Sequence, residues 1–316
     1  MFSKPAVSGI KGHVSSIAER LKREHGITPK LVALVIGDDP ASRRYVKLKT
    51  QDCAKVGITS EVIDLSGYSQ KEMPQKVAAT IRQLNDDPTV NAVLPQMPFG
   101  GKISPETVFS QLSPKKDVDG LTPFNLGKLF RGEFTLGDTL EMPSLHSYTP
   151  KSMLPCTPMG VILLAKYYKV GFAGKEAAVI GRSTLVGKPL AMLLQYQNAT
   201  PTCYHTGSGS KLLKERIKQA DIVVSAVGRN PKIHGEKEGF LLTGGMVKED
   251  SAVFSVGQEE DPKTGKMLFD VDEQSLDGKC AFLTPNIGGI GPMTRACLLM
   301  NTVYATLNQL REKGVI

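Results

Sequence analysis

The chain has no tryptophan, no Cys-x-x-Cys pair, no long run of basic residues and no stretch approaching the ~20 apolar residues of a membrane-spanning helix. The last absence argues against a helical membrane protein. The five cysteines (Cys53, Cys156, Cys203, Cys280 and Cys297) are odd in number and cannot close into a complete disulfide set, which favours a reducing compartment. The opening stretch MFSKPAVSGIKGHVSSIAERLK lacks the apolar core of a signal peptide and the Arg/Ser-rich, acid-poor character of a transit peptide. A soluble cytoplasmic protein is expected.

What is there is ordinary globular composition, 41% hydrophobic and 22% charged. At roughly 100 to 200 residues per domain, 316 residues suggest two domains. The net charge of +8 favours anionic partners. The basic residues are scattered and not interleaved with aromatics, so small anionic ligands fit as well as nucleic acid, and no nucleic acid is expected.

The first third alternates strand and helix signals. LVALVIG (31–37) reads as a buried strand, and Asp39 with Pro40 reads as N-cap and first residue of a helix that runs on to Gly57. SEVIDLS (60–66) is a second strand, KEMPQKVAATIRQLNDD a second helix, and NAVLPQMP (91–98) a third strand. Such β-α order implies a parallel sheet with right-handed crossovers, and ligands bind beyond the carboxyl ends of its strands. Residues 131–154 are rich in turn formers and read as a connection or insertion. A second α/β region follows, with strands in KEAAVIG, TPTCYHTG, ADIVVSAVGR and SAVFSVGQ, then a glycine turn and a C-terminal helix over 292–316.

VIGRSTLVGKP (179–189) has the strand, glycine turn and helix of a dinucleotide site, without the G-x-G-x-x-G spacing. A cofactor with a free 2′-hydroxyl usually meets Asp or Glu at the end of the next strand. Here CYHTGSGS supplies no acid, and the turn supplies Arg182, which suits a 2′-phosphate. NADP is therefore favoured over NAD.

Several stretches together, DDPASRRYVKLK, PQMP, KKDVDGLTPFNLGKL, PCTPMGV, VIGRSTLVGKPLA, NATPTCYHTGS, ADIVVSAVG and TPNIGGIGPMT, resemble the bifunctional methylenetetrahydrofolate dehydrogenase/cyclohydrolase family. They occur in the family's order and span nearly the whole chain outside 131–154. The resemblance implies an α/β protein of two lobes. Residues 1–130, completed by the helix 292–316, would form a folate-binding catalytic domain, and 155–291 a Rossmann-like NADP domain with a parallel sheet. The active cleft would lie between them, and the family typically forms homodimers through the NADP domain.

The same resemblance implies oxidation of 5,10-methylenetetrahydrofolate with NADP and hydrolysis of the methenyl product to 10-formyltetrahydrofolate. It carries Tyr45 and Lys49 onto the family's Y-x-x-x-K pair, Gln96 with its neighbours Pro95 and Met97 onto the Q-L-P motif, and Asp119 onto the second acid of D-V-D-G. For the cofactor it implies Gly181, Arg182, Ser183, Gly187 and Pro189 from the turn, His205 and Thr206, Gly228 and Gln258. Ile287, Gly288, Gly289 and Gly291 fall on the turn flanking the pterin. A lysine beside a bound cation has its ammonium disfavoured, so Lys49 suits acid/base work, with Gln96 bonded to it and Tyr45 shaping the pocket. Asp119 suits the N–H donors of the pterin ring.

Other residues are given plainer readings. Lys47 is a solvated helix charge, Asp117 a turn residue and Cys156 a packed thiol without a nearby base. His205 has no second ligand at metal spacing, so no metal is expected; His13, His25, His146 and His234 stand isolated and receive no role. The chain departs from the family at VGQEED, where Gln258 and Glu259 replace an apolar residue and a neutral amide near the cofactor, and at Asn286 and Ile287. A carboxylate at 259 either faces the cofactor's phosphates and weakens binding or points to solvent. The alternatives are a cyclohydrolase with weak or absent dehydrogenase activity and, more remotely, a non-catalytic ligand- or nucleic-acid-binding protein.

Overall fold

The computed structural model describes residues 1–100, 103–136, 150–237 and 239–316, with residues 40 and 41 by their backbone alone. The protein is α/β, and its chain divides into two compact units. An N-terminal unit comprises Ser8–Cys156 and Arg295–Ile316, and a central unit comprises Thr157–Thr294 and Met1–Val7. The chain passes between units after residue 156; residues 137–149 of the connection expected over 131–154 lie outside the described residues. The first residues go with the central unit because the Ser3 amide and hydroxyl donate to the Gly288 carbonyl at 2.9 and 2.7 Å, and the Tyr168 hydroxyl donates to the Phe2 carbonyl at 2.7 Å.

The chain opens on α1 (Lys4–His25), a helix that strand-and-turn reading passes over. Its buried residues Ile10, Val14, Ile17 and Leu21 recur at steps of three and four, the period of one helix face. Then come β1 (Lys30–Val35), α2 (Pro40–Lys55), β2 (Thr59–Asp64), α3 (Met73–Asp86) and β3 (Ala92–Gln96), followed by the short α4 (Pro105–Gln111) and α5 (Pro123–Phe130). The strands form a parallel sheet in the order β2-β1-β3. β1 is buried from Leu31 on and β3 throughout, as expected for β-branched and aliphatic strands covered on both faces. Asp39 caps α2 by accepting from the Ser42 amide at 2.7 Å, as the sequence predicts.

The central unit contains α6 (Cys156–Tyr167), β4 (Glu176–Ile180), α7 (Gly187–Tyr196), β5 (Thr200–Tyr204), α8 (Ser210–Ile217), β6 (Ile222–Ser225), α9 (Pro231–His234) and β7 (Ala252–Ser255). A hairpin of β8 (Gln258–Glu260) and β9 (Met267–Phe269) follows, then α10 (Glu273–Leu276), β10 (Phe282–Leu283) and α11 (Ile290–Glu312), which begins two residues before the expected start, ends four before the chain does and from Arg295 on belongs to the N-terminal unit. Five strands form a parallel sheet in the order β10-β7-β6-β4-β5. Its direction of winding reverses at β4, so the crevice beyond the ends of β4 and β6 is the switch point where such sheets bind ligands.

Both sheets close their switch point with glycine. A Cβ on Gly37, after β1, would lie 2.3 Å from the Gly100 Cα after β3, and the Gly100 amide donates to the Ile36 carbonyl at 2.7 Å. In the central unit a Cβ on Gly181, after β4, would lie 2.3 Å from the Ala226 carbonyl oxygen after β6. Only glycine lets these loops approach so closely.

The turn between α4 and α5 is built on a buried acid. Asp117, fully buried, accepts from the Thr122 amide at 2.7 Å and the Asn125 amide group at 2.8 Å, and Thr122 in turn caps α5. This fixes the backbone that presents Asp119. Gly120 follows at φ +68°, and a Cβ there would sit 2.5 Å from the Leu154 carbonyl carbon. Gly120→Ala combines left-handed backbone strain with a backbone clash, and is expected to lower unfolding free energy by about 2–4 kcal/mol in a urea titration.

Candidate active and dinucleotide sites

In the N-terminal unit, α2 carries Tyr45, Lys49 and Asp52 on successive turns, while Lys47 stands exposed. Lys49 Nζ donates to Gln96 Oε1 at 2.9 Å, and Gln96 Nε2 donates to the Met97 carbonyl at 2.6 Å. The second bond fixes the amide so that its oxygen faces the lysine. Gln96 is buried at the end of β3, next to buried Pro95 and half-buried Met97, and the Met97–Pro98 peptide is cis.

The charges here are held against their hydration. Burial lowers the Lys49 pKa, the carboxylate of Asp119 pulls it back up, and the cation of Arg295 pushes it further down. Burial raises the Asp119 pKa, opposed by Lys49 and by hydrogen bonding from Cys156. Cys156 donates to the Val118 carbonyl at 3.3 Å, and burial together with Asp119 pushes its thiol well up. A thiol so disfavoured as thiolate is packing, not a nucleophile. Asn301 of α11 braces the same turn by donating to the Val118 and Leu154 carbonyls at 2.8 and 3.0 Å.

The central unit has a cavity of about 1220 Å³ at its switch point, lined by Gly181, Arg182, Ser183, His205 and Thr206 among others. Five of the nine expected cofactor residues thus come together there. The other four do not line it. Gly187 packs so tightly on the turn that a Cβ would lie 2.2 Å from the Gly181 carbonyl oxygen, and Pro189 is buried in α7. Gly228 bonds backward to Asp270, and Gln258 is exposed at the start of β8. The cavity fits a dinucleotide: it is roomy, glycine-floored, and has Arg182, Lys214 and Lys232 on its lining to meet phosphates. Ile287, Gly288 and Gly289 also belong to the central unit, with Ile287 largely exposed.

Two family models match the chain: tetrahydrofolate dehydrogenase/cyclohydrolase catalytic domain over residues 3–119, and the corresponding NAD(P)-binding domain over residues 155–310. The chain belongs to the tetrahydrofolate dehydrogenase/cyclohydrolase family. It is 40% identical over 296 residues to Bifunctional protein FolD of Pyrobaculum calidifontis, covering 92% of this chain and 91% of that one. The bifunctional FolD enzyme of Campylobacter jejuni has a solved structure at 35% identity and TM-score 0.81, covering 97% and 98%. The FolD of Trypanosoma brucei, solved with NADP cofactor and an inhibitor, matches at 26% identity and TM-score 0.83, covering 98% of each chain. The chain is thus a bifunctional methylenetetrahydrofolate dehydrogenase and methenyltetrahydrofolate cyclohydrolase of one-carbon metabolism, with an NAD(P)-binding domain.

Within this family member, the unusual acid at 259 neither faces open solvent nor lies free beside the cofactor cavity. Its Oε1 pairs with His234 Nε2 at 2.6 Å and its Oε2 accepts from the Asn230 amide at 3.0 Å. His234, read from sequence as isolated, is corrected accordingly. Asn286 is likewise tied down, accepting from Ser255 Oγ at 2.6 Å and donating to the Val271 carbonyl at 3.1 Å.

Two acids act at long range without a sequence motif to mark them. Asp52, buried between Lys11 Nζ at 2.6 Å and Arg295 Nε at 2.7 Å, anchors the arginine whose charge reaches Lys49. Only the i, i+3 spacing from Lys49 pointed to it. Asp270 accepts from the Val227 amide at 2.6 Å, the Gly228 amide at 3.0 Å and Ser225 Oγ at 3.3 Å, closing the end of β6 at the cavity floor. Burial raises its pKa against the pull of those amides. Asp270→Ala takes the acceptor from the buried Ser225 hydroxyl and the half-buried Val227 and Gly228 amides, and is expected to cost about 2–4 kcal/mol of unfolding free energy, read from the urea midpoint.

Proposed function

We propose that the chain oxidises its folate substrate with NADP and that Lys49 is the acid/base group of the hydrolytic step. The observation that carries this is the Lys49 amine, partly desolvated and donating at 2.9 Å to a glutamine whose own orientation is locked. An amine whose pKa is lowered by burial gives up its proton more readily than a solvated lysine, which is what a group that takes and returns a proton requires.

In the oxidation, hydride leaves a methylene carbon flanked by two nitrogens whose lone pairs stabilise the cation that forms. Bound NADP supplies the hydride acceptor. The chain's own residues then have mainly to position the substrate. Asp119 accepts hydrogen bonds from the pterin N–H groups, and half-buried Tyr45 shapes the pocket. In the hydrolysis, water adds to the methenyl carbon as Lys49 takes its proton. The carbon–nitrogen bond then breaks with the proton delivered to the departing nitrogen, leaving 10-formyltetrahydrofolate and one released proton per turnover. Gln96 keeps the amine aimed throughout.

NADP is preferred to NAD because β5 runs into His205 and Thr206, with no carboxylate to meet a 2′-hydroxyl, while Arg182 lies on the same cavity lining. The reading also includes a homodimer formed through the dinucleotide-binding unit, of which β5 is an edge strand, and a cytoplasmic location. No helix among the described residues is long and apolar enough to cross a membrane.

The test supplies purified protein with methylenetetrahydrofolate and either NADP or NAD, and separately with methenyltetrahydrofolate. Reduced cofactor should form faster with NADP, and the methenyl compound should decay. Lys49→Met should cut the decay by at least about 100-fold, the usual contribution of a general acid/base. A faster reaction with NAD would overturn the cofactor assignment, and a Lys49→Met variant hydrolysing at the wild-type rate would overturn the role given to Lys49.

A further inference from the structure

The dinucleotide cavity has a wall made of two pieces of chain. One is the loop around α9, which contributes Asn230, Pro231 and Lys232 to the lining; the other is strand β9, which contributes Met267, Leu268 and Phe269. Neither piece belongs to the parallel sheet; backbone bonds such as Phe240 amide to Arg229 carbonyl at 2.9 Å and Asp270 amide to Gly257 carbonyl at 3.1 Å hold each piece near its own neighbours, and side chains join one piece to the other. Glu259 is the joint: it sits on β8 directly across from Leu268, and its carboxylate spans to α9. Oε1 meets His234 Nε2 at 2.6 Å, and Oε2 accepts from the Asn230 amide at 3.0 Å. Asn230, itself buried, returns a bond from Nδ2 to the Phe269 carbonyl at 2.7 Å. His234 Nδ1 lies 3.3 Å from Arg229 Nη2; a guanidinium has no acceptor, so Nδ1 accepts there and Nε2 donates to Glu259.

We propose that Glu259 and His234 form a latch that fixes this wall of the cavity, making both positioning residues for dinucleotide binding. The proposal rests on the dehydrogenase/cyclohydrolase reading for what enters the cavity. A wall that is already assembled adds no ordering cost on binding. With the latch cut, only the fraction of molecules with the wall in place binds tightly, and the apparent dissociation constant rises by the inverse of that fraction. The folate chemistry of Lys49 is in the other unit and does not need the latch.

The test titrates NADP into the full-length wild type and the Glu259→Ala, His234→Ala and double variants by calorimetry, and follows methenyltetrahydrofolate hydrolysis by each. Each single variant should bind NADP about ten-fold more weakly, as expected for loss of a hydrogen bond to a charged group. The double variant should be no worse than Glu259→Ala, because that substitution alone already removes both bonds of the joint. In oxidation the KM for NADP should rise with kcat nearly unchanged, and hydrolysis should stay at the wild-type rate. Unchanged or tighter NADP binding in Glu259→Ala overturns the latch, as do additive losses or an equal fall in hydrolysis. A wild type that hydrolyses no methenyltetrahydrofolate would sink the functional reading instead, and the binding titration would still judge the latch.

Discussion

An amine taken out of water is the constraint on which the N-terminal unit is arranged. The Lys49 ammonium is disfavoured by burial but not orphaned, and each neighbouring element contributes to that balance. The Asp39 cap starts α2 at the place that brings Lys49 to Gln96, and β3 ends with that glutamine buried and its amide locked to Met97. The Asp117 turn presents Asp119, whose charge opposes the desolvation of Lys49, and Asn301 of α11 ties the same turn down from the far end of the sequence. Arg295, held by Asp52, adds a positive charge on the other side of the balance. Buried titratable groups with opposed causes of shift are the kind of arrangement that acid/base chemistry uses.

The central unit meets a different demand, that of bringing backbone close to a phosphate-bearing ligand without leaving strand ends unsatisfied. Gly181 permits the close approach of the β4 and β6 loops, and Asp270 accepts the amides that β6 would otherwise leave without partners. The N-terminal sheet uses the same glycine contact at its own switch point, between Gly37 and Gly100. What differs is the residue set at the rim: a lysine and two polar partners in one case, arginine, histidine and hydroxyl groups in the other. One sheet topology therefore serves two chemistries through its loops.

Much of this was legible in the sequence because it is local. Short aliphatic runs named β1, β3 and β4, and the Asp39-Pro40 pair named the start of α2. The Lys49–Gln96 contact was reached only through motif resemblance, since 47 positions separate the pair and no periodicity links them. What escaped was long-range or hidden by expectation. The periodic face of α1 is interrupted by Gly9 and Gly12 and mixed with charges, so its apolar positions stand out only once the helix is seen. Asp270 and Glu259 act on backbone amides 43 and 29 positions away, a role that no local pattern marks. The departure at VGQEE was visible as an anomaly, but whether its carboxylate met phosphate, water or protein depended on where His234 lay in space.

The state of the Lys49 amine can be observed directly. Protein labelled with carbon-13 at the lysine ε-carbon, with the Lys49 signal assigned by its loss in Lys49→Met, would be titrated by NMR. The Lys49 resonance is predicted to titrate below the ordinary lysine value of about 10.4, apart from the solvated lysines such as Lys47. A Lys49 signal that titrates with the others, or above them, would contradict the account.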